Sequence, residues 1–224
     1  MQKTEAIIIY SFPFREKKFM LELFTREHGR MSFVTNRRMQ PLTMVNLVYD
    51  EHRKKIASMD IAYAYTDLPF NPSKLSIGFF VAEFLRYATR NEPTNTALYD
   101  YLRQSLEWLD IVEDSYANFH LVLMMRISLF LGLAPDIELY RSTSYFDLRE
   151  ACFTDIAPSH NDFLSREYSA VFVRLMRMSF PTMRLFLLSK EQRNIITNYL
   201  VQYYRLHIPG FPEMKSLDVL RELF

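Results

Sequence analysis

The chain has one cysteine, four glycines and one tryptophan in 224 residues. A single thiol, Cys152, closes no internal disulfide and builds no cysteine-only zinc site. A reducing cytoplasm is the expected compartment. Gly29, Gly78, Gly132 and Gly210 are too scattered to cradle a nucleotide phosphate, and GxSxG, GxGxxG, P-loop and HExxH spacings are all missing. No catalytic residue, no metal and no cofactor are therefore expected. Long apolar runs are missing too. The longest, around Phe119 to Leu133, is broken by His120, Arg126 and Ser128 and is too short and polar to span a bilayer. The opening MQKTEAIIIYSF is too short an apolar run for a cleaved leader and reads as a first strand. A soluble protein with no membrane partner is expected.

Hydrophobic residues make up 49% of the chain, enough for one large core or two modest ones. The net charge of +1 hides an uneven layout. Met1 to Leu75 carries 12 Lys/Arg against 8 Asp/Glu, and the remainder 15 against 18. Such asymmetry suggests an anionic partner for the basic end.

The basic end alternates with period two. Glu5–Phe12 is β-rich and interrupted by Pro13. Lys18–Thr25 places Phe19, Leu21 and Leu23 on one face, and His28-Gly29 marks a turn. Arg30–Asn36, Leu42–Tyr49 and the alternation Ala57, Met59, Ile61, Tyr63, Tyr65 complete five strands. Five short strands in about 65 residues suit a small closed barrel, OB or SH3-like, and the count favours OB. Asp67-Leu68-Pro69-Phe70-Asn71-Pro72 is a breaker cluster and the predicted boundary. The expected class is α+β, with a five-stranded OB-fold barrel over residues 1–70 and an all-helical domain over 71–224. Ser73 is the expected cap of a helix running to about Asn91. Further helices are predicted from Thr94 or Thr96, over Tyr116–Leu131, over Leu164–Ser179, from a Ser189/Gln192 capping box to His207, and over Ser216–Phe224. Residues 137–162 are aperiodic and read as an irregular excursion.

Candidate binding residues follow from this layout. Arg15, Lys17, Lys18, Arg26, Arg30, Arg37, Arg38, Arg53, Lys54 and Lys55 fall mostly in predicted turns or at strand ends, where a small barrel can gather them on one rim. A nucleic-acid backbone is held by such a rim through counterion release. Phe12, Phe14 and Phe33 are placed to stack on bases, although solvated charges and core phenylalanines would produce the same pattern. Arg37-Arg38 is the leading pair. Arg174, Arg177 and Arg184 share a helical face if Pro181 only kinks it, and with Arg166, Lys190 and Arg193 would suit an acidic peptide or extend a DNA track. Asp147, Glu150, Cys152, Asp155, His160 and Asp162 are the one cluster of metal-ligand types, without a metal-binding spacing. They read as a polar loop, with a metal-dependent nuclease as the enzymatic alternative. His120, in an apolar helix, reads as a core histidine. A barrel that binds RNA or a protein tail is the other alternative.

Several motifs, in order along most of the chain, resemble the RecO family of bacterial recombination mediators. Lys3-Thr4-Glu5-Ala6-Ile7-Ile8-Ile9 is similar to its first strand. Arg15-Glu16 with Leu23-Phe24-Thr25-Arg26-Glu27-His28-Gly29-Arg30 resembles its second strand and turn, and Arg37-Arg38 stands where the family has a basic loop. Phe130-Leu131-Gly132-Leu133-Ala134-Pro135 resembles its LGxxP helix end, and Tyr203-Tyr204-Arg205-Leu206-His207 with Lys215-Ser216-Leu217 its closing pattern. The resemblance implies binding of single- and double-stranded DNA, strand annealing and a complex with RecR. It also implies contact with the acidic, Phe-ended tail of single-stranded-DNA-binding protein (SSB), so that RecA is loaded. The tail needs an apolar slot beside a cation, for which Arg126 (beside Leu123 and Phe130) and the Arg174/Arg177 face are the candidates. Many members carry a four-cysteine zinc site after the LGxxP helix. Here Ile137 to Asp162 has only Cys152, so contacts of Tyr145, Phe146 and Phe153, or a remodelled loop, are expected in its place.

Overall fold

The computed structural model describes Met1–Leu223; Phe224, the end of the last predicted helix, lies outside the described residues. Five strands open the chain: β1 (Gln2–Arg15), β2 (Lys18–Thr25), β3 (Gly29–Thr35), β4 (Met44–Asp50) and β5 (Lys55–Ile61). All neighbours are antiparallel, in the order β3-β2-β1-β4-β5. Helices α1 (Pro72–Ala88), α2 (Thr96–Ile111) and α3 (Phe119–Phe130) follow. Next comes a small sheet of β6 (Tyr145–Asp147), β7 (Cys152–Thr154) and β8 (Phe163–Leu164), then α4 (Arg166–Arg177), α5 (Lys190–His207) and α6 (Ser216–Leu223). The class is α+β, an OB-type five-stranded sheet followed by helices. No described helix is long and apolar enough to cross a membrane.

Strand β1 organises the sheet. Its first half pairs with β4 and its second with β2, and an extra residue at Ile9 bends it between the two. Ala6 and Ile8 face the barrel core with Leu21, Leu23, Phe33, Val45, Leu47 and Tyr49. Ile7 and Ile9 are equally buried on the other face, where α1 packs. Burial on both faces explains the unbroken run Ala6-Ile7-Ile8-Ile9. The strand continues through Pro13 because β1 there has β2 alone as a neighbour, and the missing N–H costs no ladder bond. The fifth strand is shorter than its alternation suggests. Ala57 is bulged out of register against β4, and β5 ends at Ile61. Tyr63 and Tyr65 lie in the following linker and donate their hydroxyls to Asp110 Oδ2 (3.3 Å) and the Leu42 carbonyl (2.8 Å).

Contacts group the chain into two compact units, Met1–Val112 with Met214–Leu223, and Glu113–Glu213. Strands give way to helices between Ile61 and Pro72, whereas contacts divide the chain after Val112. The reason is the buried carboxylate of Asp110 on α2. It accepts the backbone N–H groups of Thr66 (2.9 Å), Asp67 (2.9 Å) and Leu68 (2.7 Å), and Lys74 Nζ donates to its carbonyl (2.8 Å). Lys74 also pairs with Asp67 at 2.7 Å. The breaker cluster is therefore bound to the helices rather than hinged between domains. Asn71, not Ser73, caps α1, its side chain accepting from Ser73 and Lys74 N–H. Ion pairs join the sheet to the helices, Arg26 to Asp100 (2.7 Å), Arg103 to Glu5 (2.7 Å) and Arg86 to Glu22 (2.9 Å), and Glu22 also pairs with Arg30 on β3 (2.9 Å). Glu83 of α1 accepts the N–H groups of Lys215 (3.0 Å) and Ser216 (2.7 Å), fixing the start of α6. Gly29 has φ +63°, and a Cβ there would lie 3.0 Å from the Pro93 backbone, so the β2–β3 turn requires glycine.

In the second unit α3 is buried nearly all round, which accounts for its uniform apolarity. It stops at Gly132 (φ +68°), where Leu133 N–H returns to the Ser128 carbonyl (2.8 Å). The segment 137–162, expected to be irregular, contains β6 and β7. Phe146 packs on Phe153 and Phe172 with ring centroids 4.9 Å apart. Tyr145 instead packs on Phe163 (5.7 Å) with the Arg166 guanidinium 4.9 Å from its ring. Strands of two or three residues are too short to show an alternation. Helix α4 ends at Arg177, and a 3₁₀ turn (Met183–Leu185) follows Pro181, so Arg184 does not continue the α4 face. Ser189 and Gln192 form the expected capping box on α5. His120 hydrogen-bonds Thr197 Oγ1 at 3.0 Å, and burial, then Arg193, push its pKa down to about 3.

Two stability outcomes follow. Asp110→Ala strands three backbone donors and is expected to lower unfolding free energy by about 3–5 kcal/mol in urea titrations. His120 is neutral when folded and protonates near pH 6.5 when unfolded. Its contribution is complete above that value and is lost as pH falls toward about 3. Stability should decline by about 1.4 kcal/mol per pH unit on this account, a slope that His120→Gln removes.

Candidate nucleic-acid interface

Strands β3 and β5 end the hydrogen-bonded order yet approach each other, leaving a groove where a ladder would close the barrel. The groove has a volume of about 640 Å³ and is lined by Lys18, Asn36, Arg37, Lys55, Ser58 and Asp60, among others. Three cations thus converge on one cleft against one carboxylate. The strands place them there. Lys18 opens β2 and Arg37 follows β3 at the end of the sheet where β1 finishes, whereas Lys55 opens β5 at the end where β1 begins, and the approach of β3 to β5 brings it into the same groove. Arg15 is the register partner of Lys18 across the β1–β2 ladder. Lys17 (φ 54°) and Lys54 (φ 48°) occupy left-handed turn positions beside them. All six, Arg15, Lys17, Lys18, Arg37, Lys54 and Lys55, are exposed, as is Arg38.

Other predicted rim residues are engaged elsewhere. Arg26 is held by Asp100 through two nitrogens, at 2.7 and 3.0 Å, and this bond keeps its pKa above the ordinary arginine range and that of Asp100 below the carboxylate range. Arg30 is mostly buried against Glu22, and burial lowers its pKa. Arg53 points into solvent, 3.9 Å from Asp50. Phe33 is a core residue packed edge-on against Tyr49 (5.2 Å), so it does not stack on bases. Phe12 is half-buried beside Tyr10 (5.6 Å), and Phe14 is exposed, with Arg15 at 5.2 Å from its ring. Arg86 and Arg103, which fix the barrel ion pairs, had no local sequence signal, because their partners Glu22 and Glu5 lie 64 and 98 residues away.

The second unit separates its three predicted partner-binding arginines. Arg126 donates to the Met178 carbonyl (3.1 Å), tying α3 to the end of α4. Arg177 is exposed at the last turn of α4. Arg174 lies 5.7 Å from the Phe186 ring and lines a cleft of about 520 Å³ with Tyr140, Arg166, Phe186 and Leu187. Leu187 is 90% exposed, so apolar and cationic surface meet there. Arg193 is committed to Asn118 and the Leu188 carbonyl, both at 3.0 Å.

The acidic cluster is dispersed. Asp147 binds His160 (3.2 Å) and the N–H groups of Arg149 and Glu150. Asp162 is taken by Arg149 and Gln202, and Asp155 by Ser144 and Arg141. Burial, then Asp147 and Glu150, raise the Cys152 thiol, the opposite of a metal-ready thiolate. Among the described residues no three His, Cys, Asp or Glu side chains converge as metal donors.

A five-stranded sheet with a cationic groove at its open seam, carried on helices, has the form of an OB-type binding protein. Comparison with known proteins supplies the family. Residues 1–63 match the recombination protein O N-terminal family and residues 69–217 the recombination protein O C-terminal family. DNA repair protein RecO of Phocaeicola vulgatus is 40% identical over 239 residues, covering 100% of this chain and 99% of the relative. The RecO of Bacteroides fragilis is 37% identical over 241 residues, with the same coverage. That of Porphyromonas gingivalis is 30% identical over 240 residues, covering 99% of this chain and 98% of the relative. The chain belongs to the RecO family of DNA repair proteins.

The two classes of arginine should separate in stability measurements. Arg30→Ala leaves Glu22 half-served and is expected to lower stability by about 1–2 kcal/mol. Arg37→Ala with Arg38→Ala should stay within about 0.5 kcal/mol of the parent protein.

Proposed function

We propose that the groove between β3 and β5 binds the phosphate backbone of DNA and that the protein acts in repair as a non-enzymatic mediator. It anneals complementary strands and, with RecR, helps load RecA onto SSB-coated single strands in the cytoplasm. The observation that carries this reading is the convergence of Lys18, Arg37 and Lys55 on the unpaired seam, with Arg15, Lys17 and Lys54 beside it. Cations on a backbone track neutralise the repulsion between two strands while leaving base edges free to pair. Annealing then needs no bond-making by the protein. Single and double strands are both accommodated, because the recognised group is the phosphate.

The cleft around Arg174, with Arg166, Phe186 and Leu187, supports contact with the SSB tail. An apolar slot beside two guanidiniums suits a peptide with acidic residues and a terminal phenylalanine. Arg126 is the weaker candidate, since its side chain is occupied by the Met178 carbonyl.

Complementary oligonucleotides coated with the cognate SSB provide the test. The protein should accelerate annealing, more strongly at low salt, and the acceleration should fall when the SSB tail is deleted. Arg37→Ala with Arg38→Ala should weaken single-strand binding and reduce the slope of log affinity against log salt by about 1–1.5. An unchanged slope removes the pair from the backbone track, and no acceleration at any protein concentration overturns the mediator role.

A further inference from the structure

Arg37 and Arg38 are consecutive, yet they line different cavities. Arg37 faces the basic groove, whereas Arg38 stands at a second pocket of about 650 Å³ between the β3–β4 linker and α1. The linker is thus a ridge with a cation on each side. The pocket's size is that of a small-molecule site. We propose that it receives one unstacked nucleobase of a bound single strand, with Arg38 holding an adjacent phosphate at its mouth. The proposal rests on the DNA-binding reading above and extends it from backbone to base.

The lining suits such an occupant. Tyr10 and Phe79, 37% and 51% exposed, supply aromatic faces, and Leu42 and Leu75 apolar walls. Gln40, also in the lining, can both donate to and accept from a base edge. The Arg86 guanidinium lies 3.8 Å from the Tyr10 ring centroid and fixes that ring in place. Base stacking on aromatics tolerates sequence, as an annealing protein requires.

Two local costs are concentrated at the pocket. Gly78 lies inside α1, where glycine is about 0.5–1 kcal/mol worse than alanine. A Cβ there would make only ordinary contacts, 3.5 Å to Leu42 and 3.6 Å to Leu68, so neither backbone nor packing demands glycine. Its role is to leave the pocket floor open. Leu42 is buried with φ 64°, a conformation bulky residues avoid. It is held there by its N–H to the Ile8 carbonyl (2.6 Å) and by the Tyr65 hydroxyl on its own carbonyl (2.8 Å). Strain of this kind collects at binding sites.

The test compares an oligo-dT strand of about 15 nucleotides with an abasic strand of equal length, by fluorescence anisotropy, at fixed salt. The parent protein should prefer the base-bearing strand by roughly tenfold. Phe79→Ala, and Gly78→Leu to fill the floor, should each reduce that preference to about twofold or less while leaving abasic affinity unchanged. Phe79 is half-exposed, so its variant keeps the test valid if Gly78→Leu does not fold. An undiminished preference in folded variants overturns the pocket and leaves the DNA-binding reading intact. Failure of the parent protein to bind either strand overturns both. Variants that keep the preference but lose an acidic, Phe-ended peptide would assign the pocket to a protein and overturn the proposal.

Discussion

The Asp110 carboxylate is a charge taken out of water and surrounded by donors. Burial alone would raise its pKa, but the N–H groups of Leu68, Thr66 and Asp67 outweigh it and hold the pKa below the usual carboxylate range. Those donors belong to an irregular segment between β5 and α1 that no sheet or helix would otherwise satisfy. The buried ammonium of Lys74 meets Asp67 and the Asp110 carbonyl in the same place. Barrel, linker, α1 and α2 are thereby fixed together. The groove on one side of the linker preceding β4 and the pocket on the other both depend on that fixed frame.

Charges in this fold divide by reach. Arg26, Arg86 and Arg103 have carboxylate partners that join the sheet to the helices, and Arg30 pairs with Glu22 between β3 and β2. Lys18, Arg37 and Lys55 instead line a cleft together with one carboxylate, Asp60. The open seam makes this division useful. A fully laddered barrel would have no cleft between β3 and β5, whereas an unprotected seam would invite pairing with another chain. Lysine and arginine at the seam discourage such pairing.

The sequence pattern was most informative where structure is local. Leu21, Leu23, Met31 and Phe33 alternate because one face of each strand meets the core, and the Ser189/Gln192 box is closed within three residues. Arg37-Arg38 was visible as an exposed pair because it follows directly on a strand. Arg26 and Arg30 looked the same by composition. What distinguishes them is Asp100, 74 residues from Arg26, and the buried position of Glu22 between Arg30 and Arg86. The alternation through Tyr65 overstated β5, because period two persists through a segment that leaves the ladder to hydrogen-bond α2 and Leu42. Asp110 itself carried no sequence signal, since its donors lie more than 40 residues upstream.

Glu83 receives Ser216 across 133 residues of chain, so the first unit is discontinuous in sequence. On the ribosome this becomes a matter of timing. The strands, α1 and α2 emerge first, but α6 follows only after residues 113–213 have been made, about 5–20 s later at ordinary elongation rates. Until then the face of α1 that α6 will cover is open and Glu83 has neither backbone donor. Closing so long a loop adds a non-local step to folding. The nascent protein therefore passes through a period in which the barrel is complete but its helical support is not, a natural point of engagement for chaperones.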